Sequence, residues 1–368
     1  MQRGALRKMW FQAHLWLGVA LFLVFIPLGI TGSLLVWRDA TDALFNGERY
    51  AVAKSAPTRP LADYVASAQT VVKPGERITS VRLPEHKGPV VVTAVKPPKG
   101  GAGRPQQHAV WLDPATAKVA AEGTPLKGVV KFAHDFHGHL LIPGLGRKIV
   151  GWLGWAMLVS SLTGIWLWWP RNGPVSAGFR WRRSSLTTAN LHHMTGIWVA
   201  VPLAVLSATG IWISFPDSAK AVAAPFAGKA APQPGGRGFA PPLEKTRLDP
   251  DRAAAVALAG RDGYRLASVA WPTKRQAYWR VQVRKGGEPQ ELRVDDATGA
   301  VAAAPSPKGT DAVARLFRRI HGGEGLTPVW AVLTFLAGLA PALLGVTGVW
   351  MWLAQRGRRR ALERTRLG

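Results

Sequence analysis

The chain has 368 residues, a formal net charge of +26, no cysteine and 17 tryptophans. The lack of cysteine excludes structural disulfides, cysteine-ligated iron–sulfur clusters and the attachment motif of c-type haem, so any metal centre depends on histidine or oxygen ligands. A charge this high is compatible with nucleic-acid binding. Nearly half of it, however, lies on short segments beside apolar stretches, where membrane topology accounts for it, and we expect no nucleic-acid partner.

Four stretches contain no Asp, Glu, Lys or Arg over a length that crosses the hydrocarbon core of a bilayer, about 30 Å, as a helix. They are Leu15–Trp37, Ile149–Trp169, Met194–Pro216 and Leu326–Gln355. The short segments between and beyond them are rich in cations, including Arg3, Arg7, Lys8, Arg171, Arg180, Arg182 and Arg183. The positive-inside rule therefore places both termini in the cytoplasm. We expect a multi-pass protein of the bacterial inner membrane, in contact with the lipid bilayer.

The predicted organisation follows from these spans. It comprises a cytoplasmic N-terminus (1–9), a first span (10–37), a periplasmic domain (38–148), a second span (149–169), a cytoplasmic loop (170–191), a third span (192–216), a second periplasmic domain (217–325), a fourth span (326–353) and a basic cytoplasmic tail (354–368).

Both long connections contain a helical pattern followed by segments of alternating polar and apolar residues, such as Ile78–Leu83 and Tyr278–Val283. Asp113 and Asp295 begin turns of the same Asp-x-x-Thr type. This alternation predicts a small α+β module with an antiparallel sheet in each connection. The Pro/Gly/Ala-rich runs 96–105 and 223–242 show no periodicity and are expected to be loops.

Four histidines recur at matched distances from Thr-Gly pairs. His14 and His192 each lie 17 positions before such a pair, and His137 and His321 each lie 26 positions before one. The chain is therefore predicted to be a tandem duplication, whose halves are related by a pseudo-two-fold axis along the membrane normal.

Equivalent residues face each other across such an axis, and a haem iron needs two axial ligands on opposite sides of its macrocycle. His14 and His192 are thus expected to bind one haem near the cytoplasmic surface, and His137 and His321 another near the periplasmic surface. The alternative is that these histidines cap or pack helices. Two b haems are the predicted cofactors, and no general acid, base or nucleophile is required.

Other polar residues lie near these histidines. Cations near the periplasmic pair are candidates for binding haem propionates or for ordinary interfacial anchoring: Arg147, Lys148, Arg318 and Arg319. His134 and His139 are candidates for contacts to substrate or to the groups around the haem, or are simply solvated. His193 adjoins His192, and because only one of two consecutive helical residues can face the bundle axis, it is the alternative axial ligand to His192. His86 and His108 are expected at the surface.

The glycines of the Thr-Gly pairs, together with Gly18 and Gly196, have two interpretations. They either leave room for a macrocycle or allow close packing of helices.

The pattern Leu292–Val301 resembles a PepSY module, and the order helix, PepSY, helix, helix, PepSY, helix is similar to the PepSY-associated transmembrane proteins. The resemblance runs from His14-Leu-Trp-Leu-Gly18 to Val346–Trp352. Among proteins of known activity it is most similar to the di-haem ferric-siderophore reductases of the inner membrane.

The resemblance implies an oxidoreductase that passes electrons from a quinol, a flavin or a reductase partner to a ferric siderophore in the periplasm. Two alternatives are a non-enzymatic module whose PepSY domains bind peptides or envelope partners, and a haem protein with another periplasmic acceptor.

Overall fold

A computed structural model describes residues 2–85, 87–98, 105–170, 174–181, 184, 186–227, 239–286, 288–323 and 327–367. Arg171, Arg182, Arg183 and His86, which the sequence analysis singles out, lie outside these residues, as do parts of the runs 96–105 and 223–242. The chain divides into two compact units. A helical unit comprises Met1–Thr41, Val129–Ala230 and Pro307–Gly368, and a sheet unit comprises Asp42–Gly128 and Ala231–Ser306.

The helices, in chain order, are α1 (Gln2–Val36), α2 (Arg38–Phe45), α3 (Leu61–Gln69), α4 (Gly128–His139), α5 (Gly146–Trp168), α6 (Thr187–Ser214), α7 (Pro216–Ala227), α8 (Pro250–Leu258), α9 (Gly309–Gly322) and α10 (Pro328–Leu367). The strands are β1 (Arg77–Arg82), β2 (Val90–Lys96), β3 (Gln106–Leu112), β4 (Val119–Gly123), β5 (Arg265–Ala270), β6 (Tyr278–Lys285), β7 (Glu288–Asp295) and β8 (Val301–Ala303). Short 3-10 turns span Gly47–Tyr50 and Val175–Phe179.

Four of the described helices are long and apolar enough to cross a membrane, as the sequence predicts. The candidate spans are Gly4–Val36, Gly146–Trp168, Thr187–Ser214 and Pro328–Glu363. A bilayer offers no water to the backbone, so a helix, which satisfies its own N–H and C=O groups, is the structure these sequences can adopt there. Many of their apolar side chains face outward, such as Leu23 at 70% exposure, and this surface suits lipid. The protein is therefore a membrane protein.

The spanning helices approach closely at small residues. A Cβ at Gly29 of α1 would overlap the carbonyl oxygen of Gly338 on α10, and the Ser33 hydroxyl donates to the carbonyl oxygen of Phe335 at 2.8 Å. A Cβ at Gly151 of α5 would likewise overlap the ring of Phe215, which lies just beyond the end of α6. Small residues of this kind let membrane helices pack at short range.

Two shorter helices of the same unit carry His137 and His321. They are α4 and α9, and α9 packs through Phe317 against Trp212 of α6, with ring centroids 4.8 Å apart. Helix α7 extends to Ala227, so the first residues of the run 223–242 are helical and not a loop, which corrects that expectation.

The sheet unit is built on one antiparallel sheet in the order β4-β3-β2-β1-β5-β6-β7-β8. The sequence predicts that the strands of the two long connections belong to separate domains, 38–148 and 217–325. In the structure β1 pairs with β5, so that both sets of strands share one sheet. They also share one core, in which Val81, Trp279 and Leu292 are fully buried with Tyr64 of α3 and Ala253 of α8.

The two Asp-x-x-Thr turns form as the sequence predicts. Asp113 Oδ1 accepts from the backbone N–H of Thr116 at 2.9 Å, and Asp295 Oδ1 accepts from that of Thr298 at 2.8 Å. These backbone hydrogen bonds, together with that of Ala53 on Asp113, lower the pKa of both carboxyl groups.

Candidate functional site

The inner pair consists of His14 on α1 and His192 on α6. Their ring centroids lie 6.3 Å apart, and the ring planes are nearly perpendicular, at 88°. The outer pair consists of His137 on α4 and His321 on α9, with centroids 6.0 Å apart and planes at 41°. The structure thus brings together the two pairs that the spacing analysis selects.

Both separations match those of imidazoles that share a metal. An imidazole nitrogen binds a metal ion at about 2 Å and lies roughly 1 Å from the centroid of its own ring, so two imidazoles on opposite sides of one ion have centroids about 6 Å apart.

A hydrogen bond at Nδ1 orients each imidazole. Nδ1 of His14 lies 3.0 Å from the carbonyl oxygen of Ser160, and Nδ1 of His137 lies 2.8 Å from that of Leu28. Nδ1 of His321 lies 2.9 Å from the carbonyl oxygen of Leu206. A carbonyl can only accept, so Nδ1 carries the proton in these rings and Nε2 keeps its lone pair for a ligand.

Three of the four threonines of the Thr-Gly pairs add to these contacts. Thr163 Oγ1 lies 3.1 Å from His14 Nδ1, Thr347 Oγ1 lies 3.0 Å from His192 Nδ1, and Thr209 Oγ1 lies 3.2 Å from His321 Nδ1. Each of these hydroxyls donates its own proton to the carbonyl four residues earlier in its helix. Its oxygen is therefore an acceptor for Nδ1–H, and His192 has the same tautomer as the others.

The glycine after each threonine leaves space for the histidine ring itself. A Cβ at Gly164 would lie 3.3 Å from Cε1 of His14, and one at Gly348 would lie 3.4 Å from Cε1 of His192. At Gly32 and Gly210 the distances to Cε1 of His137 and His321 fall to 2.6 and 3.0 Å. We call each Thr-Gly pair with the carbonyl three residues before the threonine an imidazole socket.

The sockets differ from both sequence-based interpretations of these glycines. Their glycines contact imidazoles directly, whereas the close helix crossings use other residues, such as Gly29 and Gly338. The sequence contained the signal, since the Thr-Gly pairs recur with the histidines. Which socket each histidine occupies could not be predicted, because the histidine and its socket lie on different helices. His14 of α1, for example, contacts the socket of α5, and His137 of α4 contacts that of α1.

A cavity of about 800 Å³ surrounds the inner pair, between α1, α5, α6 and α10. Gly18 and Gly196, one helical turn after His14 and His192, both line it. A Cβ at Gly18 would meet no atom within 4 Å, and one at Gly196 would meet Leu344 Cδ2 at 3.9 Å, an ordinary contact, so both positions present backbone to the cavity. The room-for-a-macrocycle interpretation therefore fits Gly18 and Gly196.

The donor set favours a macrocycle over a metal ion bound by protein alone. Within the described part of the chain, no group of three or more His, Cys, Asp or Glu side chains is placed to hold a metal ion. Each pair offers two nitrogens. A haem supplies four equatorial ligands itself and needs only two axial ones, so these residues fit it.

The remaining candidates take varied positions. His193 lines the inner cavity beside His192. His134 is exposed, contacts Asp135 through Nδ1 at 3.1 Å, and its ring centroid lies 6.0 Å from that of His139.

Arg147 donates to the carbonyl oxygen of Ile213 near the end of α6. Lys148 and Arg318 are exposed, and Arg319 is half-buried. Binding of propionates by these four cations stays a prediction.

His108 does not lie at the surface, contrary to the sequence analysis. It is 6% exposed, with Nδ1 2.7 Å from Glu76 Oε2 and Nε2 3.2 Å from Glu122 Oε2. Burial acts to raise the pKa of Glu76, but hydrogen bonds from His108 and from the Lys73 backbone lower it on balance. Along β3, His108 occupies the same face as the buried residues Val110 and Leu112, since side chains two residues apart point to one side of a strand. This spacing was a signal for the burial of His108.

The sequence was compared with curated proteins and with models of protein families. No match is found among curated proteins. The family model described as the PepSY-associated TM region matches residues 11–355, nearly the whole chain. The chain therefore belongs to the PepSY-associated TM family.

Proposed function

We propose that the protein is an inner-membrane electron conduit that holds two b haems and reduces a ferric siderophore on the periplasmic side. The observation that carries this proposal is the pair of imidazole pairs, 6.3 and 6.0 Å apart, whose members are oriented through Nδ1 by backbone carbonyls and threonine hydroxyls. Bound haem supplies reversible one-electron chemistry at iron.

The two pairs lie at different depths. His14 and Leu28, whose carbonyl contacts His137, are 14 residues apart on α1, and His192 and Leu206, whose carbonyl contacts His321, are 14 residues apart on α6. At 1.5 Å per residue the pairs are separated by about 21 Å along the helices. Two centres at this spacing cover most of a hydrocarbon core of about 30 Å.

The recurrence of the sockets supports a tandem duplication. In the first half His14 uses the socket of α5 and His137 that of α1, and in the second half His192 uses the socket of α10 and His321 that of α6. A pseudo-two-fold axis along the membrane normal would relate the two arrangements. By the positive-inside rule, the cations of the short connections support cytoplasmic termini, and in this orientation the outer pair faces the periplasm.

The reaction is a one-electron reduction. One electron enters from a quinol, a reduced flavin or a reductase partner at the inner pair, and one Fe(III) held by the siderophore becomes Fe(II) near the outer pair. Hard oxygen ligands hold Fe(II) more weakly than Fe(III), so reduction releases the iron. The reduction of Fe(III) itself transfers no proton, and a quinol or reduced flavin releases its own protons to water where it is oxidised, so the reaction requires no catalytic side chain.

The first test is the haem content of the purified protein. We expect two haems per chain and sharp reduced-minus-oxidised bands of bis-histidine haem, with one haem lost in His14→Ala and the other in His321→Ala. A protein that contains no haem after haem-replete expression would contradict the proposal and favour the non-enzymatic module.

The second test identifies the acceptor. The protein is reduced without oxygen and mixed with ferric hydroxamate, catecholate and citrate chelates while its visible spectrum is followed. Rapid reoxidation by one chelate class is the expected result. If no ferric chelate reoxidises the haems, the siderophore assignment is wrong, although the protein remains a haem protein.

A further inference from the structure

The inner cavity has two chemically different ends. Polar and basic lining residues lie at the end that is near both chain termini, namely Arg7, Lys8, Gln12, Ser184, His193 and Gln355. The opposite end is lined by apolar residues, among them Phe22, Phe25, Leu203 and Leu344. A ligand that fills this cavity therefore meets cations at one end only.

The two cations lie within reach of a group held by the inner pair. Arg7 and Lys8 precede His14 by seven and six residues on the same helix, about 10 Å along its axis. The Arg7 side chain is half-buried, and its Nη2 donates to the carbonyl oxygen of Leu167 at 2.6 Å. This bond holds the guanidinium beside the cavity, because Leu167 also lines it. A guanidinium has five N–H donors, so the bond is compatible with simultaneous binding of a carboxylate.

We propose that Arg7 and Lys8 bind the propionate carboxylates of the inner haem and so fix its orientation, with the carboxylate edge towards the chain termini. The inference rests on the proposed function, since it requires haem in the inner cavity. A carboxylate at the apolar end would be buried without a partner, which is costly in a low dielectric. Charge-assisted bonds to Arg and Lys offset that cost at the other end.

The competing explanation gives the cations structural roles only. Arg7 would cap the C-terminal end of α5, and Lys8 would extend to the lipid headgroups. The two explanations differ in one measurable respect. If the cations bind propionates, their contribution to binding disappears when the propionates are esterified.

The experiment is a four-part comparison in a His321→Ala background, which leaves only the inner site. Protein from a haem-deficient host is titrated with haem b or with its dimethyl ester, for the background protein and for the same protein with Arg7→Gln and Lys8→Gln. We expect haem b to bind at least about tenfold more tightly than the ester in the background protein, as for one charge-assisted bond. In the double variant we expect the ratio of the affinity for haem b to the affinity for the ester to fall towards one, while the affinity for the ester itself is unchanged.

Two further variants guard against a misfolded protein. Arg358→Gln removes an exposed cation of α10 that does not line the cavity, and it should leave the ratio unchanged. The charge-conserving swap Arg7→Lys with Lys8→Arg should keep most of the preference. An equal ratio in the background protein and the double variant overturns the inference while leaving haem binding intact. If the background protein binds neither compound, the proposed function fails together with it.

Discussion

In the proposed haem protein, the threonine of an imidazole socket would act on the iron through the histidine. Nδ1 of His14 has two acceptors, the carbonyl oxygen of Ser160 and the hydroxyl oxygen of Thr163. A hydrogen bond from Nδ1–H makes Nε2 a stronger donor to iron, which stabilises Fe(III) and lowers the reduction potential.

We expect Thr163→Val, which keeps the shape and removes the acceptor, to raise the potential of the inner haem. The loss of one hydrogen bond is worth about 1 kcal/mol, or about 40 mV for a one-electron couple. The measurement is a spectroelectrochemical titration that resolves the two haems. Thr209→Val is the matched control and should shift only the outer haem; a shift of both haems by either variant would contradict the socket assignment.

The glycine of each socket sets a graded steric test. A Cβ at Gly32 would lie 2.6 Å from Cε1 and 2.9 Å from Nδ1 of His137, too close for a packed ring to accept without moving. We expect Gly32→Ala to displace His137 and to lose the outer haem. At Gly348 the corresponding distance to His192 is 3.4 Å, an ordinary contact, so Gly348→Ala should keep both haems. The measurement is the number of haems per chain in the two variants. Equal haem loss in both would show that the space left by the socket glycines does not determine haem binding.

The two histidine pairs were predictable from the sequence because the spacing of each histidine to a Thr-Gly pair recurs in the linear pattern. The sockets were not, since the contact of His14 with Thr163 joins positions 149 residues apart. The burial of His108 could have been predicted from its place two residues before Val110 on β3, but its partner Glu76 lies 32 residues away in the chain and could not.

At the scale of elements, the two pairs are held differently. The inner histidines belong to spanning helices and their rings are nearly perpendicular, at 88°, whereas the outer histidines belong to α4 and α9 and their rings are tilted by 41°. Perpendicular axial imidazoles act equally on the two dπ orbitals of ferric iron, and more parallel ones separate these orbitals in energy.

We expect the low-spin ferric electron paramagnetic resonance signal of the inner haem to have the larger maximum g value. The spectrum of His321→Ala reports the inner haem alone, and that of His14→Ala the outer haem alone. Identical spectra from the two variants would mean that, in the haem-bound protein, the angles between the imidazole planes differ from 88° and 41°.

The buried contact between Glu76 and His108 in the sheet unit predicts that the stability of the protein is sensitive to acid. Glu76 has a pKa below its ordinary value of 4.5, so its contribution to stability is complete above that value and is lost as the pH falls through the lower folded-state pKa. We expect Glu76→Gln to destabilise the protein at pH 7 and to flatten the fall in thermal midpoint between pH 6 and pH 3. Circular dichroism of the full chain measures this, and the exposed Glu288→Gln should behave as the parent.

Elements with a strong sequence period were predicted well, including the spanning helices and the alternating strands. Their assembly was not. The pairing of β1 with β5 places Ser80 opposite Ala270. It is held by backbone hydrogen bonds such as that from the Trp271 N–H to the Thr79 carbonyl oxygen, at 2.9 Å, and these bonds carry no side-chain signature in the sequence. The N-terminal extension of α1 to Gln2 was also missed, because its first turns are basic and resemble a topological signal more than a helix.

For the whole molecule, the central consequence of the proposed function is that the two pairs act in series. They are separated by about 21 Å along α1 and α6, and each lies towards a different surface of the membrane. An electron that crosses the bilayer has to use both, since neither centre alone spans the distance to both surfaces.

This predicts that His14→Ala and His321→Ala each abolish transmembrane electron flow, although each variant keeps one haem. Proteoliposomes that enclose a reductant and face a ferric hydroxamate outside report the flow as Fe(II) trapped by an external chelator. We expect the rate for either variant to fall to that of protein-free liposomes, and Arg358→Gln to match the parent. Because His321→Ala still holds a haem that the enclosed reductant can reach, its inner haem should become reduced and stay reduced. Persistent Fe(II) production by that variant would show that the acceptor takes electrons from the inner site, and the series arrangement would then be wrong.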